Sequence, residues 1–430
     1  MSARPGSGAA IDRVSTPGRA RGPSDFAWYA TGDLAWKGAG FAVLAIVVRT
    51  APQAHVDALV LSATVYTLLT VGGDLGFAAI GMRLAALGTT RATGLRLRRT
   101  VQARRAAATA GVGLPAALVA VLALSADPAT GMLLAFLAAC WLPYFATLDW
   151  ALLALRRYPD LARARLAAAG SVVGATAIGA LLSIGAWAAG AGYAIGHAAA
   201  AWIGRRAMRR ARGGTPPVTR RGEVARALSW RASAVLSAAF CANSLFQTQE
   251  VLMTGRWLGT AAAAEFAAAH RIVFAAYTAV WIVTQYLSPR LATADGRGPL
   301  LRGRGPEIRR VAAVGAACCA VLALGAGPIA SALYGERFPA TAALVLALSG
   351  TVILESLVAL LGTLLVLGGA GRAALATLAA GCAASAIAFA AAASAGVEPL
   401  WIPVIAKHAG YLALLAGQLA YLGSRGRGRQ

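Results

Sequence analysis

Residues 166–204 read LAAAGSVVGATAIGALLSIGAWAAGAGYAIGHAAAAWIG, 39 positions with no acidic or basic side chain apart from His197. A bilayer core about 30 Å thick is crossed by roughly 20 apolar residues of helix. The stretch is therefore one overlong helix or two short ones that cross and return. The glycine-containing segment Gly185–Gly192 is the natural break. The flanking charges favour the break. Arg156, Arg157, Arg163 and Arg165 precede the stretch, and nine arginines follow between 205 and 231. Basic residues collect in cytoplasmic loops, and two crossings put both clusters on that side, where one crossing would split them.

Working outward, apolar runs fall at roughly 34–48, 57–80, 106–124, 130–155, 166–184 and 188–204. A second set falls at 230–252, 262–287, 311–330, 341–367, 373–395 and 400–422. With 58% hydrophobic and 13% charged residues in 430, and a mean hydropathy of +0.65, the chain lacks the side chains for a water-facing surface. Backbone polar groups inside a bilayer must be satisfied internally, so only helices or closed barrels span it. Runs this long and continuous do not alternate as barrel strands do. The expected fold class is an all-α integral membrane protein of about twelve transmembrane helices.

Of the 40 Lys and Arg, 34 lie in the tails and the even-numbered loops. Three (Arg49, Arg256, Arg337) lie in odd-numbered loops, and three (Lys37, Arg271, Lys407) within the runs. This bias places both termini in the cytoplasm. It also accounts for the net charge of +24 without nucleic acid as a partner. Residues 1–32, rich in Arg, Gly, Pro, Ser and Ala, have no apolar segment of the signal-peptide kind and read as a disordered cytoplasmic tail.

An offset of 207 residues superimposes Arg49 on Arg256, Arg83 on Arg290 and Arg165 on Arg372, and the segment 125–130 on 332–337. One offset spanning six helices points both halves the same way across the membrane, a parallel repeat. The expected domains are an N-terminal six-helix lobe at 33–204, a basic cytoplasmic linker at 205–229, a C-terminal lobe at 230–423 and a cytoplasmic tail at 424–430. Pro115 and Pro143 fall inside runs and should kink them.

Catalytic signals are missing. Neither lysine, Lys37 nor Lys407, stands in a Walker A motif. No zinc-ligand spacing or Gly-x-Ser-x-Gly elbow occurs, and the odd-numbered loops are too short to house a catalytic domain. Cys140, Cys241, Cys318, Cys319 and Cys382 all lie in apolar runs and read as small hydrophobic residues. No enzyme activity, metal or cofactor is expected.

What remains is charge inside the membrane, which insertion penalises and which usually faces a bundle interior or a wet cavity. Lys37, Asp74, Glu250 and Glu355 are candidates for ion coupling or cavity lining; Asp149, Arg271, Lys407, His197, His270 and His408 complete the set. Lys37 stands four residues after Asp33, one helical turn away, and an ordinary ion pair explains it equally well. Asp74 lies about 13 Å along a helix from Arg83, and Asp149 lies seven residues from Arg156. His197 reads as a packing residue.

The residues 32–40 (GDLAWKGAG), with Arg49, Pro52 and 73–76 (GDLG), resemble the opening of polysaccharide or O-antigen flippase-like members of the multidrug/oligosaccharidyl-lipid/polysaccharide (MOP) exporter superfamily. In the second half, 249–252 (QEVL), 255–259 (GRWLG), 269–272 (AHRI) and 334–338 (YGERF) are similar to that group's seventh to tenth helices. His55-Val56-Asp57 and Glu265-Phe266 depart from its usual pattern. The resemblance covers residues 32–423 in layout. It implies two six-helix lobes in a V, as in MATE transporters, and alternating access. It also implies outward movement of a polyprenyl-pyrophosphate-linked saccharide across the bacterial cytoplasmic membrane. Arg49, Arg256 and Arg271 would then bind the substrate. Glycosyltransferases and a polymerase of the same pathway would be partners, with membrane lipids. Two further readings stand beside it: an ion-coupled drug or cation antiporter of the same superfamily, and a non-transporting scaffold of an envelope polysaccharide complex.

Overall fold

The computed structural model describes residues 22–86, 91–125, 127–210, 230–292, 305–367 and 370–427. The described residues are helical nearly throughout and contain no strand. Every apolar run of the sequence has become helix. In chain order the elements begin with α1 (Gly22–Thr50), α2 (Gln53–Asp74), α3 (Phe77–Ala86) and α4 (Arg91–Ala108). A π-helical turn, Thr109–Gly113, joins α4 to α5 (Leu114–Leu124). Then come α6 (Pro128–Cys140), a 3-10 turn Leu142–Ala146, and α7 (Asp149–Ala154). The first half closes with α8 (Tyr158–Leu181) and α9 (Ala186–Arg210). The second half has α10 (Trp230–Trp257), α11 (Thr260–Ala292), α12 (Gly305–Tyr334), α13 (Thr341–Ser349), α14 (Thr351–Leu367), α15 (Gly371–Ser394) and α16 (Ile402–Arg427).

Among the described residues, seven spans are long and apolar enough to cross a bilayer. An eighth is the pair α13 and α14, bent by 46°. Helices α9, α10, α11 and α16 have 25, 28, 33 and 26 residues, enough length at 1.5 Å per residue, but carry more polar side chains.

Residues 166–204 divide as the glycines suggested. The chain turns at 182–185, where Ser183 and Gly185 take positive φ of 59° and 54°. A Cβ on Gly185 would also lie 2.5 Å from His55 Nδ1, so conformation and space both call for glycine. At both expected kink positions the α-helix is interrupted: Pro115 follows the π turn and Pro143 lies in the 3-10 turn. Helix α6 opens on an Asp127 cap that accepts from the Ala129 and Thr130 amides at 2.9 Å, with Pro128 next. These bonds to the charged form hold the Asp127 carboxyl below its ordinary pKa.

Three boundaries differ from expectation, one of them at α16, which runs on to Arg427 and into the expected tail 424–430. Helix α1 begins at Gly22, so 22–32 is helix and not tail. Its inner turns are held because Tyr29 packs edge-on against Tyr158, Arg165 stacks over Tyr29, and Gly32 meets Ala162. Helix α9 runs on to Arg210 and takes in the first residues of the expected linker; 211–229 lie outside the described residues.

The two halves repeat the same neighbour pattern. Helix α1 packs on α8 as α10 packs on α15; α8 pairs with α9 as α15 pairs with α16; α2 meets α6 as α11 meets α13. The 207-residue offset holds for the start of α2 against α11 but has grown to 213 at α8 against α15. Arg165, well inside α8, and Arg372, at the start of α15, are therefore not equivalent, and their coincidence at 207 is accidental. Part of the drift enters at the turn 335–340, longer than its counterpart at 125–127.

The halves meet at the arginine-poor end of the bundle in two places. The end of α1 touches α12, where Arg49 Nη2 donates to the Ala332 carbonyl at 2.6 Å, and Arg337 reaches Gln53 at 3.4 Å. The corner between α10 and α11 touches α5: Gly255 lies against Leu124, and Thr260, the first residue of α11, donates to the Leu124 carbonyl at 3.3 Å. Nearer mid-helix, Ser244 of α10 reaches the Thr67 carbonyl of α2.

Candidate functional site

Three polar clusters occupy the interior, and each neutralises most of its own charge. In the first half, Asp33 binds Lys37 at 3.0 Å and Arg165 at 2.9 Å, and Arg165 also lies 3.4 Å from Asp149. The Lys37 ion pair is the one its spacing suggested. Asp149 pairs across helices with Arg165 and not along its own helix with Arg156.

The second cluster joins Asp74, the last residue of α2, to Arg105 of α4 at 2.7 Å. Arg105, 2% exposed, also donates to the Phe145 and Thr147 carbonyls that the 3-10 turn leaves free. Close approach makes the pair possible. A Cβ on Gly113 would lie 2.9 Å from the Gly73 nitrogen, and one on Gly73 would lie 2.4 Å from the Phe145 ring. By sequence Arg105 belonged to a basic loop, so its partnership with Asp74 replaces the Arg83 relationship.

The third cluster lies in the second half. Lys407 Nζ is 3.1 Å from Glu250 Oε2, 3.0 Å from the Phe246 carbonyl and 3.3 Å from that of Gln247, which satisfies its three donors. The other Glu250 oxygen accepts from Ser385 at 2.8 Å. Gln247 then links to Glu355 at 3.0 Å and to Tyr411 at 3.3 Å. Among the described residues no cation lies within ion-pair distance of Glu355.

The three candidate arginines do not gather in one place. Arg49 bonds the Ala45 and Ala332 carbonyls beside an open cavity of about 490 Å³ lined by Tyr334, Gly335, Glu336 and Arg337. Arg256 is exposed at the end of α10. Arg271, on α11, lies where the halves meet: its Nη2 is 3.6 Å, and the Tyr193 hydroxyl of α9 is 4.0 Å, from the Cβ position of Gly40 on α1. Its Nη1 is buried without a hydrogen-bond partner, and no described carboxylate is within ion-pair distance. A guanidinium so placed offers two donors to an anion.

A small, partly open aromatic chamber lies in the first half. Trp36, Tyr66, Tyr144 and His197, with Thr147, Asp149 and Arg165, line a cavity of about 150 Å³. His197, assigned to packing by sequence, sits 5.1 Å from Trp36 and 5.5 Å from Tyr144 between ring centroids, and its Nε2 has no partner. Sequence reasoning also passed over Arg105, Arg165, Gln247, Ser385 and Tyr411. The basic residues were absorbed into loop counts. The neutral ones had no local signal, because their partners come from other helices.

No protein-family model matches the chain, and no curated protein matches it. Solved structures do. An inward-facing multidrug-resistance MATE family transporter of the MOP superfamily aligns with TM-score 0.69 and 14% identity, over 92% of this chain and 96% of that one. The lipid II flippase MurJ, in an inward closed conformation, aligns with TM-score 0.66 and 8% identity, over 92% and 87%. A MOP superfamily transporter from Pyrococcus furiosus, described as having a binding pocket of reverse polarity, aligns with TM-score 0.62 and 14% identity, over 93% and 96%. At these identities the likeness is one of fold, and the chain is a multi-pass membrane protein with the MATE-like fold of MOP-superfamily transporters.

Proposed function

We propose that this chain is a transporter that moves a polyprenyl-linked oligosaccharide across the bacterial cytoplasmic membrane by alternating access. All twelve helical rods cross, both termini are cytoplasmic, and the halves 33–204 and 230–423 are the moving lobes. One observation carries the reading: Arg271 is a guanidinium at the meeting of the halves, with one nitrogen buried and unpartnered. Such a charge favours an anionic group, and a pyrophosphate between lipid and sugar is one. The deep carboxylates Asp74 and Glu250 are already neutralised by Arg105 and Lys407, which leaves little to attract a cationic drug. Arg49 acts as a contact between lobes and Arg256 as a headgroup anchor, so Arg271 takes the main substrate role. Glycosyltransferases and a polymerase would supply and consume the substrate.

The antiporter reading keeps one support, Glu355, a buried carboxylate held by Gln247 and not by a cation. It serves equally as the ion-coupling group of a flippase. The test is transport per molecule of membrane-inserted protein, measured as surface saccharide. Arg271→Lys keeps the charge but loses the two-pronged donor, and retains partial transport. Arg271→Ala loses most of it at equal protein abundance. Normal transport by Arg271→Ala would sink the anion reading and leave the fold untouched.

A further inference from the structure

The chamber in the first half has chemistry of its own. Its walls include the rings of Trp36, Tyr66 and Tyr144; its polar groups are Asp149, Thr147, Arg165 and the unpartnered Nε2 of His197, a residue 4% exposed. The volume of about 150 Å³ is that of cavities that accept a benzene-sized guest, so it admits at most one ring, with its substituents projecting through the opening. Charge is balanced: Asp33 and Asp149 are met by Lys37 and Arg165. Neither a cation nor an anion is therefore drawn in, and a neutral ligand rich in hydroxyls fits the mixture of aromatic faces and hydrogen-bonding groups. Asp149, with its side chain 31% exposed, marks the entrance.

The chamber also adjoins Arg271. Tyr193, whose hydroxyl lies beside Arg271 at Gly40, stacks on Trp141 at 4.3 Å, and Trp141 in turn lies against Tyr66 at 3.6 Å. Tyr193 and His197 are one turn apart on α9, their rings 6.5 Å between centroids. An anion on Arg271 would thus stand on the far side of Tyr193 from the chamber, whose Trp36 ring lies 6.0 Å from that of Tyr193. We infer that the chamber binds one neutral sugar ring, the one attached nearest the anionic group. This inference rests on the saccharide-transport reading and names a subsite of it.

The experiment uses full-length protein in lipid nanodiscs, free of sugar-based detergent, with ligand-observed saturation-transfer NMR. The probes are methyl glycosides of glucose, galactose, mannose and N-acetylglucosamine, with tetramethylammonium as the cation and inorganic pyrophosphate as the anion. At least one glycoside binds saturably in the millimolar range. Ala200→Leu, which fills the chamber, weakens it at least tenfold. Asp149→Asn, which keeps shape and removes an acceptor, does the same and covers the case in which Ala200→Leu does not fold. Arg271→Ala leaves glycoside binding intact and abolishes pyrophosphate binding. The chamber proposal is overturned if no glycoside binds the folded protein, if binding survives both chamber variants, or if tetramethylammonium displaces the sugar. Glycoside binding without any pyrophosphate binding removes the Arg271 reading and leaves the chamber; the reverse removes the chamber alone.

Discussion

Lys407 Nζ lies 3.1 Å from Glu250 Oε2, with both side chains 1% exposed. The pair joins α16 to α10, and every hydrogen on the ammonium has an acceptor. Removing one partner leaves a buried charge alone, at a cost of about 3–5 kcal/mol. Lys407→Met and Glu250→Gln each lower the melting temperature in detergent strongly. The double variant recovers most of the loss, because no charge is then stranded. A double variant as unstable as the sum of the singles would show that the pair acts through packing and not charge.

Arg49 holds the halves together through the Ala332 carbonyl at 2.6 Å. A hydrogen bond to a charged group is worth about 1.5–3 kcal/mol net, and this one is exposed, so the lower figure applies. Arg49→Ala raises the population open at the arginine-poor end roughly tenfold. A cysteine at Val48, which is 3% exposed beside Arg49, with the native cysteines removed, reports this as faster labelling by an impermeant reagent. An unchanged rate would mean that the apolar contact between α10 and α5 keeps that end shut alone.

Gly73 is a position where size decides. A Cβ there would fall 2.4 Å from the Phe145 ring and 2.7 Å from Thr109 Oγ1. Gly73→Ala therefore costs about 1–3 kcal/mol through overpacking. Gly170, with nothing within 4 Å of its Cβ position, is the control: Gly170→Ala is neutral or gains up to about 1 kcal/mol from helix propensity. Thermal melting of the two variants separates packing from propensity.

The proposed orientation has its own check. In a background lacking native cysteines, Ala129→Cys labels from outside intact cells and Thr215→Cys does not. Labelling at position 215 would reverse the topology that the arginine distribution supports.

The positions of the helices could be read almost completely from the sequence, because hydropathy records burial in lipid one residue at a time. The break inside 166–204 was legible for the same reason, helped by Gly185, whose positive φ few other residues adopt. Pairings between helices were not. Asp74 finds Arg105, and Asp149 finds Arg165, through register between α2 and α4 and between α7 and α8, which a hydropathy profile does not carry. The 207-residue offset shows the limit from the other side. It located the repeat correctly where helices α2 and α11 start, then drifted through added residues, so the Arg165 match was chance. His197 was read as a packing residue because one histidine in an apolar run carries no sign of the rings that surround it.

The two contacts at the arginine-poor end differ in kind, and temperature acts on them differently. The Arg49 bond to Ala332 is electrostatic, whereas Gly255 against Leu124 is chiefly apolar. Apolar attraction weakens on cooling, because the water-ordering cost of separating such surfaces falls. Cooling is therefore expected to shift the load between the halves toward the Arg49 side, and cysteine-labelling rates at the two contacts, followed against temperature, check it.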